Sequence, residues 1–284
     1  MALSIGEANL LNERFNEVVE NVSPMMQVLR KKVCLVKSSD AGEEHFYQKT
    51  AAQLTGSANL GFGTELPRDV VDFAKVTVRP RMFGIESGFT WQDSKIKVID
   101  VQRETMKDML AYIEYQVALR VWNVVSESQS ASTIRTLATS ATWNNATRSS
   151  RIPHEDIFEA KSTIMDSQTQ RYKPNLCLLS PTDAVFVVTN DYVLGSFDAS
   201  SPAVMKSGSL GVIAGLELLE DPVITADYSW VGEAKRVATW WEQESLRTKI
   251  ILNEPVDVTL RAWQMGDINL TNPRAACLIT NTQA

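Results

Sequence analysis

The chain has 284 residues, enough for one large domain or two interleaved small ones around a real core. Hydrophobic residues make up 44% and charged residues 22%, which excludes disorder as the dominant state. Lys and Arg total 28 against 34 Asp and Glu, a net charge of -6. No basic stretch stands out beyond Arg30, Lys31 and Lys32, read as a solvated turn or helix end. A protein that gathers nucleic acid on a charged tail is therefore not indicated.

Residues 7–22 carry Leu11, Phe15, Val18 and Val22 at helical spacing, and Pro24 stops the pattern. A single apolar stripe on so short a helix needs a partner surface. The opening MALSIGEANLLNERF has acids where a secretion signal carries positive charge, so no leader is expected. No apolar window approaches the roughly 18 residues of a membrane span. The triplets at Asn21, Asn145 and Asn269 are then chance glycosylation matches. Cys34, Cys177 and Cys277 are odd in number, widely spaced and without a C-x-x-C pair. They predict neither a disulfide framework nor a zinc site, and fit a reducing cytosol.

Two extended segments, EHFYQKTAAQL and VVDFAKVTVRP, flank the glycine-bearing stretch GSANLGFGTELPRD. Alternation over Phe73–Val78 predicts a strand, and the whole reads as a long two-stranded arm with a glycine-rich tip. Such a hairpin is marginal alone in water and is expected to lie on another surface. Residues 100–127 follow. Met106, Leu110, Ile113, Val117, Val121 and Val124 repeat at four, three, four, four and three, with Asp100 as N-cap. This predicts a helix roughly 40 Å long, too irregular in its flanking charges for a coiled coil and better suited to lying on a sheet. Lys107, Glu114 and Arg120 are expected on its open face.

Residues 128–151 read as loop or weak strands. Pro153, Glu155 and Asp156 open a helix whose face is Ile157, Ala160 and Ile164. Residues 175–179 form a buried strand. Ser180 caps the next helix, with Pro181 at its first position and Asp183 three residues on. Residues 195–210 are Gly/Ser-rich; GVIAGLELLEDPVI reads as strand, turn, strand. From Arg236 to Ile279 the chain is mostly extended. Trp240 and Trp241 are read as one ring inward and one outward.

No phosphate-binding glycine loop, nucleophile elbow or H-E-x-x-H motif is present. The two histidines, His45 and His154, fall on unrelated segments. Paired acids such as Glu43–Glu44, Glu155–Asp156 and Glu220–Asp221 suit turns and helix starts. No enzyme activity, metal or cofactor is expected.

The order of parts resembles the major capsid proteins of tailed bacteriophages, with the Hong Kong ninety-seven-type fold. The resemblance rests on an N-terminal arm and on the glycine-tipped loop returning through FAKVTVRPRMFGIESGFTWQDS, with Phe73, Val76, Val78, Pro80, Arg81, Gln92, Asp93 and Ser94. It continues through the long helix and KPNLCLLSPTDAVFVV to the closing strands. It implies an α+β fold: N-terminal arm 1–37, extended loop 38–80, peripheral domain 81–150 with the spine helix, axial α/β domain 151–235, and return strands 236–284. It further implies a shell of hexamers and pentamers around double-stranded DNA, assembled in the host cytoplasm and resident in the virion. Its partners would be copies of itself, a separate scaffolding protein and a portal, with no membrane. Phe46, Lys49, Phe62, Arg68 and Glu114 are the expected subunit contacts. No complete acid–Lys–Asn cross-linking trio is evident; Lys49 with Asn253 or Asn272 would supply two members. A nanocompartment shell of the same fold is the nearest alternative; an enzyme or another virion component is more remote.

Overall fold

A long helix laid across one sheet, a second sheet beside it and a protruding ribbon make up the computed structural model. It describes residues 28–49, 73–90, 101–129, 133–145, 147, 150–166, 171–190, 211–253 and 257–283. The helix expected over 7–22, the glycine-bearing arm tip, Gln92–Ser94, Asp100 and residues 195–210 lie outside these. In chain order the elements are α1 (Val28–Val33), β1 (Cys34–Ser38), β2 (Glu44–Lys49), β3 (Phe73–Val78), β4 (Arg81–Thr90) and α2 (Val101–Val125). There follow β5 (Arg135–Ala138), α3 (Pro153–Met165), β6 (Leu176–Leu179), α4 (Pro181–Val188), β7 (Val212–Ile213) and β8 (Leu216–Glu220). The chain closes with β9 (Tyr228–Gly232), β10 (Ala238–Asn253), β11 (Asp257–Leu270) and β12 (Ala276–Thr280).

The first sheet has the order β1-β10-β11-β4. Along β11, Val258, Leu260, Ala262 and Gln264 are buried while Thr259, Arg261, Trp263 and Met265 point the other way, the period-two signature of a half-covered sheet. The cover is α2, which packs on β11 and β4. Its buried face comprises Met106, Met109, Leu110, Ile113, Val117, Val121, Trp122 and Val125, each at most 2% exposed. The stripe is wider than the spacing predicted, with Met109 and Trp122 on its flank, while Val124, expected within it, is only half-buried. Trp122 also reaches sideways, its Nε1 donating to Thr225 Oγ1 at 3.0 Å. The helix stops where Ser126 donates back to the Trp122 carbonyl and Glu127, Ser128 and Gln129 adopt left-handed φ values of 48°, 53° and 70°.

The second sheet has the order β5-β12-β9-β6-β8-β7. The strand β6, LCLL, is buried at every position, as expected of a central strand covered on both faces. Ser180 caps α4 as the sequence implied: its Oγ accepts from the Asp183 amide at 3.1 Å and donates to the Asp183 carboxylate at 2.8 Å. Residues 135–138, grouped by sequence with the spine helix, pair with β12 in this sheet. The chain end is tied in as well, since Thr282 Oγ1 and Gln283 Nε2 both donate to Asp183. At the end of β9, Gly232 is pressed against the Trp230 ring. A Cβ there would meet Trp230 Cη2 at 2.3 Å, inside any real contact distance. Gly232→Ala is therefore expected to cost about 1–3 kcal/mol through overpacking, read as a lowered urea midpoint at unchanged slope.

Trp240 is fully buried and Trp241 half-buried, the split that the sequence implied. All three cysteines are free and buried. Burial pushes every one of their thiols up, those of Cys177 and Cys277 to about 12, so they behave as small apolar side chains. Among the described residues no helix is long and apolar enough to cross a membrane.

Candidate assembly surfaces

The ribbon is an antiparallel pair in which Glu44 faces Val78, Phe46 faces Val76 and Gln48 faces Ala74. This register sorts the side chains onto two faces. One carries Phe46, Val76 and Ala74. The other carries His45, Tyr47, Lys75 and Thr77, with His45 Nδ1 3.0 Å from Thr77 Oγ1. Among the described side chains neither face is covered along its length: Tyr47 is 66% exposed, Ala74 is exposed and Phe46 half-buried, while Val78 at the root is buried. Two strands without a core are not stable by themselves.

The root, by contrast, is held by charge. Arg79 Nε meets Glu43 Oε1 at 2.7 Å within the ribbon. Beside it, Asp267 on β11 accepts two bonds from Arg120, at 2.8 and 3.2 Å, and pairs with Arg81 at 3.2 Å. One carboxylate thus joins the spine helix, the first residue of β4 and the sheet. An open cleft of about 800 Å³ lies at this junction, lined by Glu43, Arg79, Arg81, Arg120, Val124 and Asp267. Arg120 had been expected on the open face of α2. It turns inward because Asp267, 7% exposed, needs a bidentate partner once buried.

Glu114 also departs from expectation. It is half-buried, beside α1 and Asp221, and burial pushes its carboxyl up to about 7 against the pull of Arg30. The neutral form is thus favoured in the folded chain. Stability from this group is full below about pH 4.5, falls as pH rises toward 7, and is flat above. Glu114→Gln should flatten that slope and leave the subunit about 1–2 kcal/mol more stable than wild type at pH 8, the figure being discounted for partial solvent screening. Parallel urea titrations at pH 5 and pH 8 read it directly; an unchanged pH slope would contradict it. The run Arg30–Lys32 is not uniformly solvated either. Arg30 is 4% exposed, lies 5.3 Å above the Trp240 ring and pairs with Glu242 at 3.2 Å, while Lys32 bonds Glu217 at 2.6 Å.

Of the expected contact residues, Phe46 lies on the apolar ribbon face, and Glu114 lies on α2 against its own α1. Lys49 ends β2, with its side chain outside the described residues, as are Phe62 and Arg68. The open face of α2 carries Tyr112 and Tyr115, 48% and 47% exposed, which the apolar spacing did not single out because it tracks only the buried side. Among the described residues no group of side chains has the makeup of a metal site.

No protein-family model and no curated sequence matches the chain. Solved structures do. The capsid of the cyanophage P-SCSP1u is similar over 88% of this chain and 86% of that one, at a TM-score of 0.66 and 13% identity. The virus-like particle from Pyrococcus furiosus is similar over 95% and 99%, at 0.64 and 12%. The SrpI encapsulin complex from Synechococcus elongatus is similar over 91% and 88%, at 0.59 and 11%. The fold is that of tailed-phage capsid subunits. In this capsid fold the ribbon is the extended loop and α2 is the spine helix laid on the four-stranded sheet, so the α+β architecture expected from the order of parts is the one observed.

Proposed function

We propose that the chain is the major head protein of a tailed bacteriophage, closing into an icosahedral shell of hexamers and pentamers around double-stranded DNA. The observation that carries this reading is the ribbon: a coreless arm on a charged root, attached to a body with the capsid fold. Exposed apolar and aromatic groups on such an arm are stabilised when a neighbouring copy covers them, and repeated heterologous contacts that close around an axis give rings. Phe46, Lys49, Phe62, Arg68 and Glu114 are the proposed contact residues. The peripheral segment 81–150 and the axial segment 151–235 are the proposed halves of the subunit. Assembly in the host cytoplasm with a separate scaffolding protein and a portal completes the proposal, and the role is structural, without catalysis. A second reading, a nanocompartment shell, is favoured by the likeness to the encapsulin complex.

Electron microscopy of the expressed protein tests the shell. Native particles then separate the two readings, since packaged DNA and a tail belong to a phage and an enclosed enzyme to a compartment. Deleting residues 55–66 should leave a folded subunit, by circular dichroism, that forms no closed shells. Normal shells from the deleted form would refute the role of the arm.

A further inference from the structure

One end of the six-stranded sheet gathers positive charge from segments far apart in sequence. Four neighbouring strands, β5, β12, β9 and β6, meet there. Arg135 opens β5, opposite Cys277. Arg274 immediately precedes β12, Lys235 and Arg236 follow β9, and Arg171 and Lys173 lead into β6. Hydrogen bonds tie these segments into one surface. Arg236 Nη1 donates to the Arg171 carbonyl at 3.4 Å, the Lys173 amide donates to Glu233 at 3.1 Å, and Asn272 Nδ2 donates to the Arg236 carbonyl at 3.0 Å. Arg236 is anchored, 4.8 Å above the Tyr172 ring and paired with Glu233 at 3.2 Å. Burial raises the Tyr172 hydroxyl, Arg236, Arg274 and Arg135 act in the opposite direction, and Glu233 acts with burial. Arg171, Lys173 and Lys235 are exposed; Lys235 is held outward in a left-handed turn at φ 61°. Among the described residues none of these three, nor Arg135 or Arg274, has a carboxylate partner.

We propose that this row of cations binds the phosphate backbone of nucleic acid. The shape of the row decides for a polymer. Four adjacent strands span three spacings, about 14 Å. A duplex carries one negative charge per about 1.7 Å of axis with both strands counted, so a length matching the row carries about eight charges, of which those on the near side face it. A folded acidic neighbour presenting carboxylates at that density would repel itself, whereas a duplex already carries it, with condensed counterions whose release drives binding. Among the described residues of the row the aromatic ring is Tyr172, which is buried beneath Arg236 and offers no face for stacking. Binding is accordingly indifferent to base sequence and steep in salt. The inference rests on the shell reading for the source of the ligand, the enclosed genome, but its chemistry stands apart from it.

Fluorescence anisotropy of a short labelled duplex, titrated with the full-length protein between about 50 and 200 mM salt, tests the site. Wild type should bind at the lower salt with a strongly negative slope of log affinity against log salt. Arg171→Glu with Lys173→Glu should weaken binding at least tenfold and make the slope shallower by about 0.9 for each phosphate no longer neutralised. Arg247→Glu with Lys249→Glu, the same charge change on the other sheet, should shift binding less than threefold. Equal losses from both pairs, wild-type affinity in the first pair, or no binding by wild type would overturn the proposal. So would a first pair that binds the duplex normally but fails to form shells, because the row would then contact another copy. Intact binding at this row in a protein that builds no shell by electron microscopy would refute the shell reading alone.

Discussion

Ile113→Ala is expected to lower subunit stability by about 2–5 kcal/mol, the range for emptying a large side chain from a packed core. Ile113 is 2% exposed at the middle of α2, with Leu110 and Val117 one turn to either side and the β11–β4 sheet beneath. These neighbours belong to a long helix and a broad sheet, so they relax poorly into the space left behind. The neighbouring position supplies the control. Glu114→Ala removes a half-buried carboxyl whose burial already works against it at neutral pH, and should stay within about 1 kcal/mol of wild type. Urea denaturation should be run in the background lacking residues 55–66, so that assembly does not mask folding. Equal losses at Ile113 and Glu114 would mean that α2 is buried all round, and the plate of helix on sheet would have to be abandoned.

Asp267→Ala should be the most damaging change to a polar group at the ribbon's root. It removes the carboxylate that Arg120 and Arg81 share and leaves Arg120, 26% exposed, without that partner in a cleft also lined by Arg79 and Arg81. Breaking a fully buried pair costs about 3–5 kcal/mol; with both guanidiniums partly solvated the expected loss is about 2–3 kcal/mol. A double-mutant cycle apportions it. Coupling to Arg120, which is bidentate, should exceed coupling to Arg81, which is 60% exposed. The ribbon should also become a faster target for limited proteolysis, since its attachment to the body is weakened. A loss below about 0.5 kcal/mol with unchanged proteolysis would show that the ribbon is held by its strands alone.

Local periodicity made much of this fold legible. The stripe from Met106 to Val124 defined α2, the alternation over Phe73–Val78 defined one strand of the ribbon, and Ser180, Pro181 and Asp183 marked a helix start in the side chains themselves. Such signals live within a few residues, where helix and strand geometry fix which side chains share a face. The all-apolar run Leu176–Leu179 likewise announced a covered strand before any partner was known.

What only the tertiary structure decided are the meetings between distant segments. Arg120 falls off the apolar stripe and so reads as exposed; only the placement of Asp267, 147 residues later, turns it inward. Arg30 reads as part of a solvated basic run until Trp240 and Glu242 come to lie beside it. The cationic row is the plainest instance. Arg135, Arg171, Lys173, Lys235, Arg236 and Arg274 are scattered through a chain of net charge -6, so no window of sequence is basic enough to announce them. The strand order β5-β12-β9-β6 sets their segments side by side, because hydrogen bonding aligns strand ends irrespective of where the strands fall along the chain.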